Sequence, residues 1–511
     1  MDYNDVISKV EAFDIETARE SLNHSVGIKD TLEIAKIYDK YTDLFTPRRV
    51  TWAKKHLAKQ AAPLDKRRAT YLLDFLVDGV IGNKLKHLID EESTYESSAT
   101  VQFDGKDVPF RQVSTLVQNE SVRARRKELV KRCKPVKKKL TSYEKKAIKT
   151  TYRLLKKFSG KDYVPYYAEH KNVDLDALGT MLRGFLVRTD ALFTSLMEAR
   201  LKTIKVSLKQ AESHDYSVIL RTKHYDTHFP KENLLSSLKT TLHGMGIDID
   251  SQKNVHLDTE DRPKKVPRAF CSPIRIPDEI HLVLKPRGGQ QDYQTILHEA
   301  GHTEHFAHTK NDLAYELKHM GGHAVSETYA FLFEYLTTSE AWLTDIAHLA
   351  PDVAHDFTHE LLEQKMFMFR RYCAKLLYEL KLHRNDLTRL DDRFEPIQGQ
   401  SYKTMAACYN DILTKACKVN YPKDNWLLDV DSGFYSADYL RAWMLEAHLR
   451  SVLTKKFGTR WYASKDAGRF LMELWSTGAN GRTMDELAMH IGLARLDTSA
   501  IEADFATLRG S

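Results

Sequence analysis

Between Thr295 and Phe306 the chain reads TILHEAGHTEHF, and its apolar residues, counted from Tyr293, fall at Tyr293, Ile296, Leu297 and Ala300. Intervals of three and four place those side chains on one stripe of an α-helix. A second apolar-rich segment, VSETYAFLFEYL (residues 325–336), follows the Gly321-Gly322 break and predicts another helix. Proline interrupts helix interiors, and none occurs from 166 to 229, from 287 to 350, from 352 to 395 or after 423, so these spans are predicted to be mainly helical.

Strand signals are few. Five of the fourteen prolines crowd into residues 263–286, where EIHLVL (Glu279 to Leu284) alternates polar and apolar positions as a short strand does. TVQFDGKDVPF, residues 100–110, carries Asp104-Gly105 between two extended runs and predicts a hairpin. YSVILRT, residues 216–222, is a weaker strand signal. The pattern predicts a mainly α protein with a small β-sheet beside the histidine-rich helix. Two parts are expected: an N-terminal helical lobe, 1–210, with the hairpin near 100–110, and a domain over 211–511 that holds the histidine cluster.

Composition changes this picture in three places. At 511 residues, with 42% hydrophobic and 29% charged residues, the chain has the make-up of a soluble globular protein. No apolar run approaches the roughly 20 residues of a membrane helix, and the first residues lack a signal peptide's basic and apolar blocks, so a cytoplasmic location is expected. The five cysteines are scattered and form no CxxC pair, so any metal would fall to histidine and carboxylate. Finally, of the net charge of +7, the segment Arg123–Lys157 alone holds sixteen Lys or Arg against two Glu, an excess of +14 that leaves −7 for the rest. Such a run could engage nucleic-acid phosphates, but it has few aromatics and no nucleic-acid motif. We read it as solvated helices interrupted at Pro135, able to steer acidic peptides.

The chemistry concentrates in HEAGH. His298 and His302 are four apart and project from one helix face, close enough to share an ion. Glu299, beside the first histidine, could reach a water on that ion and take its proton. His305 falls on the same face and is expected near the site. A catalytic zinc takes three protein ligands, and Glu327, 25 residues beyond His302, is the candidate for the third; Glu316 and Glu334 are rivals. Glu334, two turns past Glu327, could instead hydrogen-bond a ligand histidine. Glu279–Leu284, as an edge strand, could pair with an extended peptide, and the turn at Arg287, Gly288 and Gly289 could let backbone approach a substrate.

HEAGHTEH followed by VSETYA, preceded by KVPRAFCSPIRIPDEIHLVL and trailed by SGFYSADYLRAW and GRTMDELAMHIGL, resembles the zinc oligopeptidases of the thimet oligopeptidase and oligoendopeptidase F family. The likeness covers residues 215–511. It implies a large helical ellipsoid with a deep substrate channel, one Zn2+ per chain held by His298, His302 and Glu327, Glu299 as general base, and short peptides as substrates. It further implies that Tyr435 and Tyr439 donate hydrogen bonds to the tetrahedral oxyanion, although this chain has Ala437 and Asp429 where the family typically places another tyrosine and an upstream histidine. A related zinc carboxypeptidase family shares HExGH, but its HPF and HESQS signatures are missing here. A non-enzymatic basic nucleic-acid-binding protein with an incidental HExxH is the third alternative.

Overall fold

The structure is a computed structural model that describes residues 2–266, 268–384, 402 and 404–509. It is mainly α-helical, with one hairpin and one three-stranded sheet among the described residues. The predicted helical span ending at 395 is helical to Arg384, and the remainder lies outside the described residues.

Two compact units emerge, and they interleave along the chain. The first comprises Met1–Leu76, Thr222–Leu362 and Ala437–Ser511; the second comprises Val77–Arg221 and Glu363–Ser436. Sequence reading placed one cut at 210/211. The contacts instead join the first 76 residues to the histidine-bearing unit and residues 363–436 to the other.

In the first unit the sheet order is β3-β5-β4, with β3 (Val255–Asp258) parallel and β4 (Phe270–Arg275) antiparallel to β5 (Glu279–Val283). The expected edge strand Glu279–Leu284 is therefore central, and the edges are β3 and β4. The N-terminal helix Tyr3–Ser25 lies against this sheet. Leu22 and Val26 close a small core with Ile274 and Val283, while both terminal nitrogens of Arg19 reach the Glu279 carboxylate at 2.9 and 2.8 Å. Past β3 the chain folds around Lys265, whose buried ammonium donates to the Asp258 carbonyl and carboxylate and to the Glu260 carbonyl. A buried cation with three acceptors fixes a loop that no regular ladder would hold.

The second unit contains the predicted hairpin, β1 (Thr100–Phe103) with β2 (Lys106–Pro109), turning at Asp104 and Gly105, both at positive φ. The basic segment forms helices Arg123–Arg132 and Lys134–Ser159. Part of its charge is structural: Arg126 is 2% exposed and donates to buried Asp215 at 2.9 Å, and Arg123 donates to the same carboxylate. Removing one partner of such a buried pair typically costs about 3–5 kcal/mol. Residues 216–222 are not a strand. Ser213–Ile219 is a helix, started by a capping box in which the Glu212 and Asp215 side chains each accept the other's backbone N–H. Local capping overrides the β-branched run that suggested extension.

Candidate metal centre

All ligand candidates belong to the first unit. The HExxH helix, Gln290–Ala307, starts immediately after Gly288 and Gly289, at φ 88° and 94°. The N–H groups of Arg287 and Gly288 donate to Asp292 Oδ2 at 2.6 and 2.8 Å, and that of Gly289 donates to the Phe229 carbonyl at 2.8 Å. A Cβ at Gly289 would stand 3.0 Å from Asp226 Oδ1. These glycines thus shape and pack a helix start, and their N–H groups are spent inside the protein rather than offered to a peptide.

Tyr293, Ile296, Leu297 and Ala300 are at most 2% exposed, as the apolar stripe predicts. At Gly301 the helix Ala324–Glu334 crosses so closely that an added Cβ would lie 2.4 Å from the Tyr329 carbonyl oxygen and 2.7 Å from Ala330 Cα. This approach between backbones lets short carboxylate side chains of one helix reach the imidazoles of the other.

His298, His302 and Glu327 converge, each offering one ligand atom within 4.8 Å of the others. Glu327 Oε2 lies 3.5 Å from His298 Nε2 and 3.7 Å from His302 Nε2. The opposite nitrogens are engaged elsewhere. His298 Nδ1 is 2.8 Å from Glu334 Oε2, and His302 Nδ1 is 2.7 Å from Ser326 Oγ. Two Nε2 atoms and a carboxylate turned toward a common point, with both Nδ1 atoms hydrogen-bonded, form the donor set that suits a divalent cation such as zinc.

Charge follows the same geometry. Burial disfavours a protonated His298, but the hydrogen bond and charge of Glu334, with the charges of Glu327 and Glu299, outweigh it and raise the pKa to about 9. Burial and then the neighbouring His298 push His302 well below its ordinary value, so it is a neutral imidazole. Glu299 is not part of the ligand set. Its Oε2 accepts the backbone N–H of Cys271 on β4 at 2.8 Å, and burial raises its pKa.

Other candidates fall elsewhere. His305 is fully buried, its ring 4.8 Å from that of Tyr329, and burial lowers its pKa to about 3. It packs between the helix pair, against Tyr329 and Phe306. Glu316 is buried too, bonded to Tyr3 and Arg68. Tyr439 lies near the cluster: its ring is 5.7 Å from that of Phe331, which is 5.2 Å from His298. Tyr435 falls in the second unit, and Lys171 of that unit stands 5.9 Å from its ring centroid, so the first unit alone does not bring it to the histidines. Asp429 is held by Arg371 and Tyr409. Sequence reading missed Ser326 and the Cys271 N–H. The first was visible only as the neighbour of Glu327, and the second, a main-chain group, leaves no mark in a sequence.

No protein-family profile matches the chain, and no curated protein matches it in sequence. Among solved structures, it is similar to one described as a "putative oligoendopeptidase F" from Bacillus anthracis str. Ames, with a TM-score of 0.64 and 14% identity over 96% of this chain and 87% of that one. At that identity the likeness is one of fold.

Proposed function

We propose that this protein is a zinc-dependent metallopeptidase that hydrolyses short peptides, of the oligoendopeptidase kind. The observation that carries the reading is the convergence of His298, His302 and Glu327 at one point, with Glu299 alongside but outside the ligand set. Bound there, zinc would supply Lewis acidity toward a peptide carbonyl.

The remaining work falls to the chain. Glu299 holds its Oε2 against the Cys271 N–H, which leaves Oε1 to take the proton of the attacking water and return it to the departing amine. Its raised pKa brings the carboxylate nearer the range in which it can both accept and release that proton. The same contact sets β4 beside the reacting centre. The Cys271 N–H points away from β5, and Pro273, two residues on, faces the same way and has no N–H. That edge therefore presents carbonyl oxygens, and an extended peptide laid along it would be held by its own N–H groups, with little dependence on side chains.

The zinc content of purified protein, together with cleavage of internally quenched peptides bearing free or amidated C-termini, tests the reading. One zinc per chain and cleavage of both peptide forms are expected. Cleavage confined to the free-carboxylate form would assign a carboxypeptidase instead, and protein with neither stoichiometric metal nor turnover would overturn the proposal.

A further inference from the structure

The two ligand histidines are backed differently, and the difference lies within one helix. Glu334 is a carboxylate and can only accept, so when His298 is neutral its one ring proton must sit on Nδ1, which leaves the Nε2 lone pair for metal. Ser326 is a hydroxyl, able to donate or accept, and its only hydrogen bond among the described residues is to His302 Nδ1. It is 3% exposed, so water has little access to it. Residues adjacent in sequence thus bracket one ring: Ser326 Oγ stands 2.7 Å from Nδ1, and Glu327 Oε2 stands 3.7 Å from Nε2.

Building on the metal reading above, we infer that Ser326 is a positioning residue that sets the tautomer and ring orientation of His302 and so governs how tightly the site holds zinc. An imidazole that binds a metal is neutral and carries one ring proton. With that proton on Nδ1, donated to Ser326 Oγ, the Nε2 lone pair faces the metal position. With the proton on Nε2, His302 is no ligand at all. The serine allows either arrangement, whereas Glu334 admits only the Nδ1–H form of a neutral His298.

Zinc affinity of full-length protein, measured by competition with a chelator, tests this without any assay of turnover. Ser326→Ala is expected to weaken zinc binding about 10–100-fold, while the melting temperature of the zinc-free protein stays at the wild-type value. Ser326→Thr, which keeps the hydroxyl, is expected to bind close to wild type. Wild-type affinity in Ser326→Ala, or equal weakening in both variants, would overturn the role of the hydroxyl. If wild-type protein takes up no zinc, the metal reading itself fails, an outcome separate from either of these.

Discussion

Glu334 Oε2 sits 2.8 Å from Nδ1 of His298, while the same ring turns Nε2 toward Glu327 at 3.5 Å. A carboxylate behind a ligand imidazole fixes the ring and raises its donor strength. Glu334→Gln should therefore lower zinc affinity about 10–100-fold, as read by chelator competition. Retention of full affinity would mean that the contact is packing alone.

Glu299 is anchored outside the ligand set, so Glu299→Gln should keep its zinc and its fold. Loss of general-base chemistry typically removes about 10²–10⁴ in rate, and kcat on a quenched peptide should drop by that much. A variant that loses metal together with activity would place Glu299 among the ligands.

Gly301→Ala tests the helix crossing. The new methyl would meet backbone atoms of Tyr329 and Ala330 rather than a side chain able to turn aside. Overpacking of this sort commonly costs about 1–3 kcal/mol. Urea unfolding should show that loss, accompanied by weaker zinc binding, because the ligand sets sit on the two helices forced apart.

Tyr439 packs with Phe331 and Trp443, and phenylalanine would preserve both ring contacts. If its hydroxyl stabilises the oxyanion, Tyr439→Phe should lower kcat about 100-fold and leave KM nearly unchanged. Unaltered kcat would leave Tyr439 with packing alone.

Glu379, in the second unit, is fully buried and accepts hydrogen bonds from the Asp431 N–H and the Ser436 hydroxyl. Burial raises its pKa to about 8 against the opposing charge of Lys375, while Asp431 adds to the rise. The folded chain thus keeps a proton that the unfolded chain releases above the ordinary carboxylate range. Its contribution to stability should fall as pH rises from about 4.5 to about 8, by at most about 1.4 kcal/mol per pH unit, and level off beyond. Urea midpoints across that window should slope less in Glu379→Gln than in wild type. Parallel slopes would show that Glu379 titrates alike in the folded and unfolded chain.

Much of this molecule was legible in its sequence for definite reasons. Long proline-free stretches became helices, Asp104-Gly105 became a hairpin turn, and the spacing of His298 and His302 set both rings on one helix face. Other features were hidden because they depend on partners. β5 proved central because β3 and β4 both pair with it, and β3, only four residues long, carries no turn signal. Periodicity put His305 on the ligand face, but only the crossing at Gly301 decides that it lies under Tyr329. The β-branched residues of 216–222 read as extended, but Glu212 and Asp215 close a helix start just before them.

The partner of Glu299 is a peptide nitrogen, and main chain is inherited whatever side chain it carries. The hydrogen bond itself asks nothing of the side chain at position 271 except that it not be proline, which has no hydrogen to give. A contact of that kind leaves no trace in a comparison of letters.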